Sequence, residues 1–209
     1  MKLEPTDYEM MARALNLATK GIYTSTPNPS VGCVITQNGK IVGEGYTKPA
    51  GGNHAEVEAL SRISDASDCC VYVTLEPCSH YGKTGPCAMA LIDAGVSRVV
   101  VACEDPNPLV SGKGIKMLEE AGIGVDVGLL EDQARALNQG FIKRCEHGLP
   151  WVTIKMASSI DGRTAMASGQ SQWVTTPDSR KDVQKLRAKS CAIITGIGTQ
   201  MMDDPSLTV

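Results

Sequence analysis

Asn53-His54-Ala55-Glu56 and, further along, Glu76-Pro77-Cys78-Ser79-His80-Tyr81-Gly82-Lys83-Thr84-Gly85-Pro86-Cys87 bound the stretch around which this chain is organised. One His and two Cys offer nitrogen and sulfur ligands of the kind zinc takes. A catalytic zinc keeps three protein ligands and leaves its fourth position open for water. Residues 54–63 read as a helix with His54 and Glu56 in its first turn. Residues 69–75 are a short β-rich run, and Glu76-Pro77-Cys78 is its exit loop. Pro86 suits the first helical position of a segment reaching residue 94, which puts Cys87 at a second helix start. A helix start, a strand exit and a helix entry can converge on one ion.

Upstream, Thr6-Asp7-Tyr8-Glu9 looks like a capping box, and Met10, Met11, Ala14, Leu15, Leu17 and Ala18 continue as an apolar helical face ending at Gly21. Thr26-Pro27-Asn28-Pro29-Ser30 is rigid and fits neither helix nor central strand. The runs 31–36 and 41–46 flank Asn38-Gly39, a strong hairpin signal. Downstream come a buried-type strand over 98–103, a loop through Pro106-Asn107-Pro108, a helix to Gly122, a strand near Val125 and a helix over 131–145. Strands alternating with helices after an opening hairpin indicate an α/β sandwich around a mixed sheet. His147-Gly148-Leu149-Pro150 interrupts the pattern. This divides the chain into a first domain, 1–147, and the opening part of a second, 148–209, with strands expected over 151–156 and 191–195 and a helix over 178–189. The second set is too small to close a sheet by itself.

The 209 residues are 42% hydrophobic and 21% charged, an ordinary globular composition. A net charge of -3 argues against a broad surface for nucleic acid. No apolar run approaches the roughly 20 residues of a membrane span, and the N-terminus reads as no signal peptide. Eight cysteines without the rhythm of a secreted domain fit a reducing, cytoplasmic setting.

His-x-Glu followed by Pro-Cys and a further Cys is the signature of zinc deaminases, in which the Glu moves protons and does not bind the metal. Hydrolytic loss of an aromatic amine needs an activated water at neutral pH, which zinc supplies. Glu56, two residues from the His ligand, is placed to carry the proton; Glu58 reads as solvent-facing. Here eight residues separate Cys78 from Cys87, where deaminases that edit bases in nucleic acid have a tight Cys-x-x-Cys. A zinc-stabilised binding module would have no purpose for Glu56. His80, inside the insert, suits substrate contact better than metal ligation.

Thr26-Pro27-Asn28-Pro29-Ser30-Val31-Gly32, Gly52-Asn53-His54-Ala55-Glu56, the Glu76–Cys87 stretch and Glu104-Asp105-Pro106-Asn107-Pro108 resemble the bifunctional deaminase–reductase of riboflavin biosynthesis. So do Lys155-Met156-Ala157-Ser158-Ser159-Ile160-Asp161-Gly162-Arg163, Gln172-Trp173, Thr195-Gly196 with Thr199, and Asp203-Asp204-Pro205 with Leu207-Thr208-Val209, which look like the opening of its reductase domain. The resemblance implies a cytidine-deaminase-like three-layer sandwich, followed by the first part of a dihydrofolate-reductase-like domain. It implies an aminohydrolase that converts a diaminopyrimidinone carrying a phosphoribosylamino group to the corresponding uracil. His54, Cys78 and Cys87 are then the zinc ligands and Glu56 the proton donor, with Asn28, Asn53, His80 and Lys83 holding substrate. Asp105 to Gly114 would line the ribose side.

In the second domain the resemblance implies NADPH-dependent reduction of ribosyl to ribityl, with Ala157, Trp173, Thr199 and Asp203 at the nucleotide and Ser171, Arg187 and Leu207 at the substrate. The expected partner is the small phosphoribosyl pyrimidine, with no nucleic acid or membrane, in a homodimer or higher homo-oligomer. The family commonly has His after the Gly45-Tyr46 pair, whereas this chain has Thr47.

Overall fold

Five short apolar runs pair into one mixed sheet, with strands Gly32–Gln37 (β1), Lys40–Tyr46 (β2), Cys70–Val73 (β3), Arg98–Val101 (β4) and Gly124–Val127 (β5). Their order is β2-β1-β3-β4-β5. β1 pairs antiparallel with β2 and β3, while β3–β4 and β4–β5 are parallel. The hairpin turns at Asn38 (φ 52°) and Gly39 (φ 74°), the left-handed pair whose twist matches the flanking strands. The computed structural model describes residues 3–81, 85–108 and 110–209, in two units, Met1–Trp151 and Val152–Val209.

The register puts the helices on opposite faces. A Cβ on Gly32 would strike Ala14 of helix Pro5–Thr19 (α1), whereas one on Gly45 would strike Ala55 of helix Ala55–Leu60 (α2). Gly45 is paired with Cys33, the neighbour of Gly32 in β1, and consecutive strand residues face opposite sides. α1 and helix Glu131–Leu137 (α5) therefore lie on one side. α2, Cys87–Asp93 (α3) and Lys113–Glu120 (α4) form the layer on the other. This is the three-layer sandwich expected. Val71, Val73, Val99, Val100 and Val101 are fully buried between the layers, as strands covered on both faces require.

Two local expectations are corrected. α1 starts at Pro5, not after Thr6, and the box is made by Glu4 and Asp7, with the Glu4 N–H bonding Asp7 Oδ2 at 2.8 Å. Proline has no N–H to lose at the first helical position, so it draws the start forward. The single helix expected over 131–145 is two, α5 and Gln139–His147 (α6), broken at Asn138 (φ −117°, ψ 27°). The Asn138 side chain is spent elsewhere: Oδ1 accepts from the Ser30 N–H at 2.8 Å and Nδ2 donates to the Ser30 carbonyl at 2.9 Å.

The second unit carries helices Pro177–Ala188 (α7) and Ile197–Asp203 (α8). Thr176 caps α7 by accepting from the Ser179 N–H at 3.3 Å. The strands expected over 151–156 and 191–195 are not formed: among the described residues neither run has a partner strand, and no residue of 152–209 is buried. Of the described residues, no helix is long and apolar enough to cross a membrane.

Candidate metal centre

His54 is the N-cap of α2, Cys78 lies on the loop leaving β3, and Cys87 opens α3. α2 and α3 pack side by side on the same face, so three sequence-local signals become one cluster. Among the described residues, His54, Cys78 and Cys87 form a metal-type group whose ligand atoms all lie within 4.8 Å of one another. His54 Nδ1 is 3.2 Å from Cys87 Sγ and 3.6 Å from Cys78 Sγ. Zinc–sulfur and zinc–nitrogen bonds of ordinary length on a tetrahedron put nitrogen and sulfur about 3.6 Å apart. The donor set and its spacing fit zinc.

The charges fit as well. The Cys87 N–H, free at the start of α3, donates to Cys78 Sγ at 3.3 Å. Hydrogen bonding from Cys87 outweighs burial and, with that from His54, holds the Cys78 thiol well below its ordinary value. Cys87 goes the other way, raised by its hydrogen bond to Cys78 and by burial, so the pair shares one proton. The hydrogen bond to Cys78 also raises His54. A divalent cation resolves that sharing, because a coordinating thiol is deprotonated outright. Glu56, in the first turn of α2 and 4% exposed, is pushed up to about 7 by burial and by the charge on Cys78. A carboxyl near neutrality beside a metal cluster can both accept and return a proton.

His54, Glu56 and Cys78 border a cavity of about 380 Å³, and Asn28, Thr47, Glu76, His80, Asp105, Asn107 and Phe141 also line it. Asn28 and His80, expected to hold substrate, are thus on its wall. Asn53 is exposed, and its side chain pairs with Glu58 rather than facing the cavity. Lys83 lies outside the described residues. Glu58 is engaged at the surface, with Arg62 at 2.9 Å and Lys48 at 3.6 Å. Lys48 also sits over the Tyr46 ring at 3.8 Å, next to the position that follows the Gly45-Tyr46 pair. Thr47 occupies that position, buried, accepting from the Val31 N–H at 3.0 Å. A second cavity, of about 450 Å³, lies against α5, α6 and Trp151 and contains no thiol.

Two lining or supporting residues escape sequence reading. Asn138 holds the Pro27-Asn28-Pro29 loop through Ser30, 108 residues away. Glu76 accepts four backbone N–H groups from residues 105–115. Its place directly before Pro77-Cys78 was the available signal. Asp105, mostly buried and bonded to the Asn107 N–H at 2.8 Å, is raised to about 6 by burial.

The residues expected at a nucleotide site are at the surface of the second unit. Trp173 is 69% exposed under the Arg180 guanidinium at 4.3 Å, and Thr199 and Asp203 are exposed while Ala157 is half-buried; Ser171, expected at the substrate, is exposed as well. Arg187 donates to the Ser206 and Thr208 carbonyls, both at 3.0 Å, bracing the stretch that contains Leu207.

Residues 4–103 match the cytidine and deoxycytidylate deaminase zinc-binding region, and residues 150–209 match the RibD C-terminal domain. The chain is 56% identical over 210 residues to riboflavin biosynthesis protein RibD of Haemophilus influenzae, covering 100% of this chain and 56% of that protein. To RibD of Escherichia coli it is 55% identical, over 97% of this chain and 56% of that one. Among solved structures, Acinetobacter baumannii RibD in form 1 is similar with a TM-score of 0.93 at 54% identity, covering 97% of this chain and 57% of that chain. The diaminohydroxyphosphoribosylaminopyrimidine deaminase/5-amino-6-(5-phosphoribosylamino)uracil reductase of Thermotoga maritima has a TM-score of 0.90 at 37% identity, over 96% and 58%. The chain spans little more than half the length of these relatives.

Proposed function

We propose that the chain is a member of the RibD family of riboflavin biosynthesis proteins, which it resembles along its whole length, and that its first unit is a zinc-dependent aminohydrolase. Its substrate in this reading is 2,5-diamino-6-(5-phosphoribosylamino)pyrimidin-4(3H)-one, deaminated to 5-amino-6-(5-phosphoribosylamino)uracil with release of ammonia. The observation that carries the reading is the His54–Cys78–Cys87 cluster opening, with buried Glu56 beside it, onto a cavity large enough for a heterocycle.

His54 Nδ1 and the Cys78 and Cys87 thiolates would hold the zinc, which supplies an acidified water when bound. Glu56 carries the water's two protons in turn, the first to the ring nitrogen and the second to the leaving amine. Burial raises Glu56 above the ordinary carboxylate range, which suits a group that both takes and gives a proton. Val31, Leu75 and Phe141 give the flat ring apolar wall, and Asn28 and His80 offer it polar contacts. Lys83, Asp105 and Asn107 take the phosphoribosyl side, with Lys83 as a point charge for the phosphate.

The NADPH-dependent reduction belongs, in this reading, to the domain that the second unit begins, with Ala157, Trp173, Thr199 and Asp203 at the nucleotide. The assembly is a homodimer or larger. The setting is cytoplasmic, in keeping with all eight cysteines being free thiols.

Metal analysis paired with ammonia release from the phosphoribosyl diaminopyrimidine tests the reading. Stoichiometric zinc and ammonia are expected, and Glu56→Gln is expected to keep the zinc while losing roughly a thousandfold or more in turnover. Unchanged turnover in that variant removes Glu56 from the chemistry. Zinc-loaded protein that releases no ammonia overturns the assignment.

A further inference from the structure

We propose that Glu76 is a positioning residue for substrate: its buried carboxylate cinches a loop that walls the cavity. Glu76 is 3% exposed. Oε2 accepts from the Asp105 N–H at 3.1 Å and the Gly112 N–H at 2.9 Å. Oε1 accepts from Gly114 at 2.9 Å and Ile115 at 3.3 Å. The Glu76 N–H in turn donates to the Cys103 carbonyl at 3.0 Å. One side chain therefore closes the base of the loop from both ends. Asp105, Asn107 and Val110, carried within it, line the cavity.

The donors dictate the residue type. All four partners are N–H groups, and two belong to the first turn of α4, whose positive end favours an anion. A carboxylate satisfies every one of them. Glutamine would turn an NH2 group toward N–H donors on one side, and aspartate is one methylene too short to reach across. Gly114 shows how close the two segments lie: a Cβ there would be 2.0 Å from the Pro77 carbonyl oxygen.

Cys78 follows two residues after Glu76, so the same residue sets the spacing between the metal ligand and the wall that faces substrate. This consequence rests on the deaminase reading above; the cinch itself does not.

The test uses the zinc-loaded 209-residue chain and Glu76→Gln. The variant is expected to raise KM by about tenfold or more, the effect of losing one to two charged hydrogen bonds. Turnover should change by less than about threefold, zinc content should not change, and amide exchange should quicken across 104–115 but not across 54–60. A residue serving only general stability would move neither KM nor that local exchange, and unchanged values overturn the proposal. So does loss of zinc with KM unchanged, which would assign Glu76 to the metal site. If Glu76→Gln does not fold, Gly114→Ala prises the same segments apart with Glu76 intact and carries the same expectations. Failure of both to fold overturns positioning in favour of a core role. If the unmodified protein releases no ammonia, the deaminase reading falls, and the exchange comparison alone decides the cinch.

Discussion

Asp7 is 2% exposed yet surrounded by donors. Arg98 reaches it at 2.7 Å and 3.3 Å, the Tyr72 hydroxyl at 2.8 Å and the Glu4 N–H at 2.8 Å. Burial pushes its carboxyl up, but hydrogen bonds from Arg98, the Glu4 N–H and Tyr72 outweigh it, and the net shift is downward. A carboxylate depressed in the folded state contributes stability that is present in full above its unfolded pKa, about 3.9. That contribution is lost as the pH falls through the folded value. Asp7→Asn is expected to destabilise the protein by about 3 kcal/mol at neutral pH. In urea unfolding followed by circular dichroism, the gap to the parent protein should narrow below about pH 4. A gap of the same size at both pH values would show that charge is not what Asp7 contributes. The sequence marked Asp7 as part of a helix start and nothing more, since its partner lies 91 residues away. The His54–Cys78–Cys87 cluster was legible because each residue sits on a local signal: a helix cap, a strand exit, a proline at a helix entry.

At the scale of elements, α2 carries His54 and Glu56, and its depth is set by glycines in β2. A Cβ on Gly45 would lie 2.1 Å from the Ala55 carbonyl oxygen and 2.7 Å from the Ala59 nitrogen. No side-chain rotation relieves a clash with backbone, so Gly45→Ala must lift the first turn of α2 off the sheet. His54 would move with it, away from Cys78 and Cys87. The variant is expected to bind zinc at least about tenfold more weakly in chelator competition, the range seen when the support of a ligand is disturbed. Zinc affinity equal to the parent's would mean that α2 is positioned by something other than this contact. The glycines were visible in the sequence, but not their purpose, because a close approach between elements is a property of packing. The same limit hid the break at Asn138. Residues 131–145 have helical composition throughout, and only the tertiary demand of the Ser30 backbone, met at 2.8 Å and 2.9 Å, interrupts them.

At the scale of the whole molecule, the two units differ in what they bury. The first encloses a continuous core from Met11 to Ala134. The second buries no residue: Ile154 is 81% exposed, Ile194 94% and Met202 86%. Its motifs could be read because they are short and local, while its strands could not be placed, because a strand exists only beside a neighbour. Apolar side chains left in water supply none of the stabilisation that offsets the entropy of ordering a chain. A nucleotide site also needs enclosing walls, whereas Trp173, Thr199 and Asp203 stand at the surface. The 209-residue chain, supplied with NADPH and the deaminated phosphoribosyl pyrimidine, is therefore expected to leave NADPH unoxidised while it still releases ammonia from the diamino substrate. The same preparation should show amide exchange across 152–209 close to that of an unstructured chain, against strong protection in β3 and β4. Substrate-dependent loss of the reduced nicotinamide absorbance would show that the second unit acquires a working site with no core of its own, and that reduction does not depend on burial there.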